Sequence, residues 1–215
     1  MTCYSERHER LGWTRVSVFY TIVCIAALVA SGCALTTEHI NLAYAPQPAA
    51  TKVEGARDVN VRVEIRDLRP SPDVAYKING YNMEMAPIIA DNDIPGMVKD
   101  AIETELKNRG FAIGGGPVVV LAELNRFRNH FQIGFWSGTA TADFAMTVSV
   151  AGADRKVIFN KLIVAQGVNP GIQLAGGNNA KIALDGALRD AMAKLFDDSA
   201  FLNSLITAGK PSTKT

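Results

Sequence analysis

Four stretches of the chain have the residue pattern of β-strands, and the first of them alternates apolar and polar positions without a fault, as a strand that buries one face does. The stretches are residues 59–66, 118–127, 139–150 and 156–166, and the last three are rich in Val, Ile, Phe and Thr. In the third stretch, the positions predicted to face the core are Ala140, Ala142, Phe144, Met146, Val148 and Val150. Turns complete the pattern: residues 152–154 can close the last hairpin.

A smaller hairpin is predicted over residues 76–83. This segment contains the pair Asn79-Gly80, and such a pair accepts the positive φ angles that both central positions of a type I′ turn require.

After Asp93 the hydrophobic period changes from two to between three and four, which indicates helices. Asp93 is predicted as the N-cap of the first helix, with Pro95 in its first turn and Gly110 at its end. A second long helix follows a glycine-rich connection, and Ser199 is predicted to cap a short third one. The apolar positions that define the two long helices are Ile94, Met97, Val98, Ala101, Ile102 and Leu106, then Ala180, Leu184, Ala187, Leu188, Ala191, Met192 and Leu195.

The predicted order is strand, hairpin, helix, three strands, helix. Short turns between consecutive strands favour antiparallel pairing, and two amphipathic helices need a sheet to cover. The pattern therefore predicts an α+β fold: a two-layer sandwich with an antiparallel or mixed sheet of about four to six strands, and two long helices packed on one face.

The N-terminus has the parts of a secretory signal peptide. Arg7, Arg10 and Arg15 precede an apolar run over residues 16–29, which is shorter than the roughly 20 residues that span a bilayer. The run ends in Ala30-Ser31-Gly32-Cys33, which predicts a lipobox. Cys33 would receive a diacylglycerol on its thiol and an acyl chain on its new amine. The alternative is an ordinary signal peptide cut near Ala30 or Gly32, with Cys33 unmodified.

Three acyl chains on Cys33 would anchor the chain permanently at a membrane. Position 34 is Ala and not the Asp that favours retention in the inner membrane, which points to the outer membrane of a Gram-negative bacterium, with the domain facing the periplasm. The predicted organisation is a cleaved signal peptide (1–32), a lipidated cysteine and flexible tether (33–57), one α+β domain (58–208) and a polar tail (209–215). The second half of the tether could instead wrap along the domain.

Charge and cysteine content exclude some partners. The formal net charge of the chain is +1. Nucleic-acid binding requires a clustered basic surface, which a nearly neutral chain does not indicate. Cys3 and Cys24 would leave with the signal peptide and Cys33 would be lipidated, so no disulfide is expected and the core alone must stabilise the fold.

Candidate catalytic and metal-binding motifs fail on spacing. His39 and His130 are too far apart in sequence to form a metal-ligand pair. Residues 91–96 resemble the start of a calcium loop, but Ile102 stands where the bidentate Glu belongs, and residues 114–117 lack the Lys of a phosphate-binding loop. No catalytic, cofactor-binding or metal-binding residue is therefore predicted, and the protein is predicted not to be an enzyme. A triad of Ser137, His130 and Asp143 is the one remaining catalytic option.

One segment suggests a binding surface. Residues 127–136 contain four aromatic residues near a predicted hairpin end. Arg128, Phe131, Phe135 and Trp136 are the candidate partner-binding residues, because exposed aromatic rings beside an arginine are typical of contact sites. The alternative is that the rings enter the core, since Phe131 and Phe135 share a strand-like period of two.

The chain resembles the YajG family of bacterial lipoproteins. The resemblance lies in the lipobox, the helix end at 105–111 (Glu-Leu-Lys-Asn-Arg-Gly-Phe), the strand opened by Gly116-Pro117-Val118 and the closing helix over 180–198. The resemblance implies an envelope lipoprotein without an established activity. A similar plan occurs in envelope lipoproteins that are accessory subunits of transport or assembly machines.

The sequence thus predicts a non-enzymatic lipoprotein, anchored in the outer membrane, with a binding or structural role in the cell envelope. One alternative is an accessory subunit of an envelope transport, lipid-handling or assembly complex. A third possibility is a peptidoglycan-associated binder or a weak hydrolase. Its partners would be the membrane, through the lipid on Cys33, and an envelope protein or peptidoglycan.

Overall fold

The computed structural model describes residues 36–210. Within this range, the strands are β1 (Glu38–Ile40), β2 (Asn60–Asp67), β3 (Ala75–Ile78), β4 (Glu84–Ala90), β5 (Ala112–Ile113), β6 (Val118–Ile133), β7 (Gly138–Ala151) and β8 (Val157–Ile172). The helices are α1 (Ile94–Arg109), α2 (Gly177–Phe196) and α3 (Ser199–Gly209), and a single 3₁₀ turn, Ala56–Asp58, precedes β2.

The strands of the described chain form two mixed sheets. The larger has the order β5-β2-β6-β7-β8, in which β2 is parallel to both β5 and β6, while β6, β7 and β8 are antiparallel neighbours. The smaller has the order β1-β4-β3, with β1 parallel and β3 antiparallel to β4. The predicted α+β class is confirmed, with a second sheet that the sequence analysis did not separate from the first.

Two long hairpins, β6–β7 and β7–β8, dominate the larger sheet. All six β7 positions predicted to face the core are fully buried. β6 and β8 extend six residues beyond their predicted ends, to Ile133 and Ile172. The polar or small residues Asn129 and Gly167 made those extensions look like loops, but the inward face continues through them because both are buried in the sheet.

Helix α2 lies very close to β8, and a glycine allows the approach. A Cβ atom on Gly167 would be 1.9 Å from the carbonyl oxygen of Ala183 and 2.4 Å from the nitrogen of Ala187. Such separations are impossible for real atoms, so only glycine fits here. Small residues along one side of the helix, Ala180, Ala183, Ala187 and Ala191, are also fully buried.

Both predicted ends of the first helix agree with the structure. The predicted N-cap of the third helix, Ser199, is wrong by one residue. At the start of α1, the Gly96 N–H donates to Asp93 Oδ2 (3.2 Å), and at its end Gly110 adopts φ 99°. The cap of α3 is Asp198, whose Oδ1 accepts from the Ala200 N–H at 2.8 Å. Ser199 is instead its first helical residue, because the preceding carboxylate already satisfies the end of the helix.

The β3–β4 hairpin exists, but its turn is not the predicted two-residue type I′ turn. Ile78 pairs with Glu84, so the connection has five residues, 79–83. Asn82 takes the positive φ (60°), and Gly80 does not. The Asn79 side chain holds this longer turn together by accepting from the N–H groups of Tyr81 (2.9 Å) and Met83 (3.1 Å).

Residues 38–58 lie on the domain, so the packed part of the predicted tether (33–57) is larger than the second half for which this arrangement was considered. β1 extends the smaller sheet, and Leu42 and Ala56 are buried. These contacts fix a segment that its Ala, Pro and Thr content had suggested would be extended and free.

A buried ionic network fastens the same segment to helix α1. Glu105 is fully buried, and its Oε1 accepts from the Tyr44 hydroxyl (2.6 Å) and the Gln47 N–H (2.9 Å). Arg109 donates to the other carboxylate oxygen of Glu105 and to Gln47 Oε1, and its guanidinium lies 4.6 Å from the ring centroid of Phe196. Burial and the bond to Glu105 raise the pKa of the Tyr44 hydroxyl, so this group stays a donor.

Candidate functional site

Three connections of the fold meet at one end of the domain. They are the β3–β4 turn (79–83), the β6–β7 turn (134–137) and the β8–α2 loop (173–176). The Ile133 N–H donates to Asn82 Oδ1 (3.2 Å), which joins the first two connections, and Gln173 Nε2 donates to the Trp136 carbonyl (3.3 Å), which joins the last two. We call these three segments together the aromatic end.

Two aromatic rings project from the aromatic end into solvent. Phe135 is 90% exposed and Trp136 is 84% exposed, and the rings contact each other edge to face with centroids 4.8 Å apart. The tight turn beneath them is closed by the Gly134 N–H, which donates to the Ser137 carbonyl at 3.0 Å. With four residues between two long strands, neither ring can reach the core.

The other two connections add apolar surface beside these rings. Tyr81 is 86% exposed and Leu174 is 76% exposed, and Met83 is also exposed. The aromatic end contains no Asp, Glu, Lys, Arg or His. It is therefore an uncharged, largely apolar surface, of the kind that marks a contact site.

The structure separates the four candidate partner-binding residues. Phe131 is 7% exposed and belongs to the hydrophobic core, where its inward period of two places it. Arg128 pairs with Glu84 (2.7 Å), and its guanidinium lies over the ring of Tyr76. Only Phe135 and Trp136 are on the aromatic end. Cys33, the predicted lipidation site, lies outside the described residues.

The sequence did not single out Tyr81, whereas Leu174 lies in the glycine-rich loop 167–179, which the sequence offers as a second candidate binding segment or as a flexible entry to the helix. Both lie in turns far from Trp136 along the chain, and only the pairing of the strands brings them beside it. The signal available in the sequence was the absence of charge from three separate turn segments, 79–83, 134–137 and 173–176, since turns on a protein surface usually carry charged or polar residues.

The residues of the conceivable catalytic triad are spread along the sheet. His130 Nδ1 lies 3.7 Å from Asp143 Oδ2, and Asp143 also accepts from Gln166 (2.8 Å). Ser137, however, is in the turn, whereas His130 pairs with Thr141 inside the hairpin. At about 3.3 Å per residue, three strand residues beyond the turn separate the two groups by roughly 10 Å. The three residues therefore do not form a relay in this structure.

A polar cavity of about 360 Å³ lies between the β2–β3 connection and the outer face of β6. Its carboxylates already have donors: Asp73 accepts from the Tyr76 hydroxyl (2.7 Å), and Glu84 is paired with Arg128. Nearby, Arg69 holds Asp67 through two hydrogen bonds, which lower the pKa of that carboxyl. Within residues 36–210, no group of three His, Cys, Asp or Glu is placed to hold a metal ion.

The fold and the aromatic end thus describe an α+β domain with a candidate contact surface, and comparisons with known proteins give its class. Residues 46–206 match the model of a protein family described as uncharacterized lipoprotein, and this match covers most of the chain. The chain belongs to this lipoprotein family, and the resemblance to YajG-like lipoproteins is confirmed. Among curated proteins, the comparison finds no match.

Solved structures with a similar fold come from distant proteins. A Xanthomonas campestris protein of the DUF330 family has a TM-score of 0.53 and 13% identity, with 80% of this chain and 96% of that chain covered. A putative neuraminyllactose-binding hemagglutinin homolog from Helicobacter pylori has a TM-score of 0.46 and 7% identity, with coverage of 78% and 99%. The first likeness supports the fold and nothing further.

One observation bears on the membrane. In the part of the chain that the structure describes, no helix is both long and apolar enough to cross a bilayer.

Proposed function

We propose that this protein is a non-enzymatic lipoprotein, anchored in the outer membrane by lipid on Cys33, with its domain in the periplasm and a binding or structural role in the cell envelope. Its membership of a lipoprotein family supports the anchor. The lipobox at Ala30-Ser31-Gly32-Cys33 supplies the residue that would carry it.

The exposure of Phe135 and Trp136 is the observation that supports a binding role. The hydrophobic core includes Phe127, Phe131 and Phe144, and it is complete without the two exposed rings. Leaving about 150–250 Å² per aromatic side chain in water brings the fold no stability. Contact with another surface would remove that apolar area from water, and this burial would favour binding.

Lipidation is tested with Cys33→Ala, expressed as the full chain beside a Ser31→Ala control that keeps a small residue in the lipobox. We expect fatty-acid labelling of the wild type and of Ser31→Ala, and none of Cys33→Ala. Persistent labelling of Cys33→Ala would refute the anchor.

Localisation is tested separately with Ala34→Asp. If Ala34 permits transfer to the outer membrane, membrane fractionation should find the wild type in the outer membrane and Ala34→Asp in the inner membrane. A wild-type protein that fractionates with the inner membrane would contradict the proposed location while leaving the lipid anchor intact.

A further inference from the structure

We propose that the aromatic end lies against the membrane that holds the lipid of Cys33, with Phe135 and Trp136 entering the headgroup region. This second attachment would fix the orientation of the domain. The inference rests on the proposed lipid anchor, and it names the surface that the contact site binds.

The contacts of Glu38 show where the chain enters the domain. Glu38, the first residue of β1, pairs with Lys77 through Oε2 (3.2 Å). Its side chain also lies at the start of α2, since a Cβ on Gly177 would be 2.7 Å from Glu38 Oε1. Gly177 directly follows one segment of the aromatic end, and Lys77 lies two residues before the start of another. The chain therefore enters the domain beside that end.

The direction of β1 relates this entry point to the β3–β4 turn. This strand is parallel to β4, with Glu38 opposite Ile88, and β4 begins at Glu84, immediately after the turn 79–83. β1 thus runs away from the aromatic end. At about 3.3 Å per residue, the turn lies roughly 13 Å behind Glu38, in the direction from which the chain arrives.

The few residues between Cys33 and β1 limit how far the domain would lie from the membrane. Cys33 is five residues before Glu38, and five residues span at most about 18 Å. A tether of residues 33–57 would have allowed the domain to stand tens of Å from the membrane, but residues 38–58 are packed on the domain. A lipid on Cys33 would therefore enter the bilayer within about 18 Å of Glu38, a distance that allows the aromatic end to reach the same membrane.

The residue types of the aromatic end are those found at membrane interfaces. Trp and Tyr are enriched at membrane interfaces, where an apolar ring and one polar atom are both accommodated. Trp136 and Tyr81 provide such rings, and Phe135 and Leu174 provide apolar area beside them. Because the aromatic end has no charged residue, its contact should not depend on anionic lipid or on ionic strength.

Fluorescence can test this contact, because Trp136 is the single tryptophan left once residues 1–32 are removed. The processed, lipidated protein is reconstituted in phosphatidylcholine vesicles with and without brominated acyl chains. We expect a blue-shifted emission in the vesicles and at least a twofold loss of intensity with the brominated lipid, unchanged in 0.5 M NaCl, an assay concentration chosen to shorten the screening length to below about 5 Å.

A matched control places the probe at the other end of the hairpin. Lys156 is exposed beyond the far end of β7, a strand of 14 residues and about 45 Å. In a Trp136→Phe, Lys156→Trp variant we expect a water-like emission and no quenching by brominated lipid. Equal quenching of both probes would overturn the proposed orientation.

The outcomes separate this inference from the proposed function. Absence of lipid on Cys33 would refute the anchor. A lipidated, vesicle-bound protein whose Trp136 stays water-exposed would refute the membrane contact alone. In intact cells, photo-crosslinkers at Trp136 and Gln173 should yield lipid adducts, whereas a discrete protein adduct from both positions would replace the membrane with an envelope protein partner.

Discussion

Replacing Glu105 by Gln should be one of the most damaging single changes of nearly constant volume in this domain. Glu105 is fully buried, and the side chain of its partner Arg109 is only 6% exposed. The amide keeps an acceptor for the Tyr44 hydroxyl but turns a donor towards Arg109 and removes the negative charge. The guanidinium would then be buried without a counter-ion.

The expected cost is about 3–5 kcal/mol, the range observed when one partner of a buried ion pair is removed. Domains of this size are stable by about 5–15 kcal/mol in total, so the variant should lose a large part of its stability. The segment that contains Tyr44 and Gln47 should loosen first, because Glu105 and Arg109 are what bind its polar groups.

The loss should also depend on pH. Burial raises the pKa of Glu105, but hydrogen bonds from Tyr44, Gln47 and Arg109 outweigh it and leave the pKa below its usual value. A carboxyl whose pKa is lower in the folded state stabilises the fold above its unfolded pKa of about 4.3, and this contribution is lost as the pH falls through the folded value. The wild type and Glu105→Gln should therefore converge in stability at low pH.

Urea unfolding of residues 34–215 produced without the signal peptide and lipobox cysteine, followed by circular dichroism at several pH values, measures these differences. Glu103→Gln on the same helix is the control. Its carboxylate makes only long ion pairs of 3.8 Å with Lys99 and Lys107, so it should cost less than about 1 kcal/mol. If Glu105→Gln at pH 7 cost no more than Glu103→Gln, the buried pair would not stabilise the fold as argued.

Two further substitutions test the packing of α2 and the cap of α3. Gly167→Ala should cost about 3 kcal/mol or more of folding stability, because its Cβ would overlap the backbone of α2. The control is Gly186→Ala, whose Cβ would have no atom nearer than 3.5 Å and which should raise stability by up to about 1 kcal/mol. Equal effects of the two variants in thermal unfolding would contradict the close approach of α2 to β8. Asp198→Ala removes the cap of α3 and the bond to Lys161 (2.6 Å) and should cost about 1 kcal/mol. Because the hydrogen bond from Lys161 lowers the pKa of Asp198, the part of this cost that depends on the carboxylate charge should be lost as the pH falls through the folded pKa. A cost that does not change with pH would exclude the charge as its source.

Local sequence signals predicted the local elements well. The period of apolar residues and the residues Asp93 and Gly110 determine α1 through contacts within a few positions of each other. The alternation in β7 likewise identified its buried face. These features depend on neighbours in sequence, which is why they can be read without a structure.

Other features depended on contacts between distant segments. The five-residue turn at 79–83 follows the pairing of β3 with β4 and overrides the local preference of Asn79-Gly80 for a tighter turn. Residues 38–58 looked like a tether because their partners are distant in sequence: Leu42 is bound by Asn92, 50 positions away, and Tyr44 by Glu105, 61 positions away. No local pattern records such partners.

The candidate site shows the same division. The period of two allowed both Phe131 and Phe135 to face the core, and only the position of the turn after Ile133 places Phe131 inside and Phe135 outside. The sequence by itself determined the lipoprotein family and the α+β class, and it predicts Cys33 as the lipid-bearing cysteine, because each depends on order and composition along the chain. The tertiary structure decided that three uncharged turns form one surface, and that the chain enters beside it, because strand pairing alone brings those segments together.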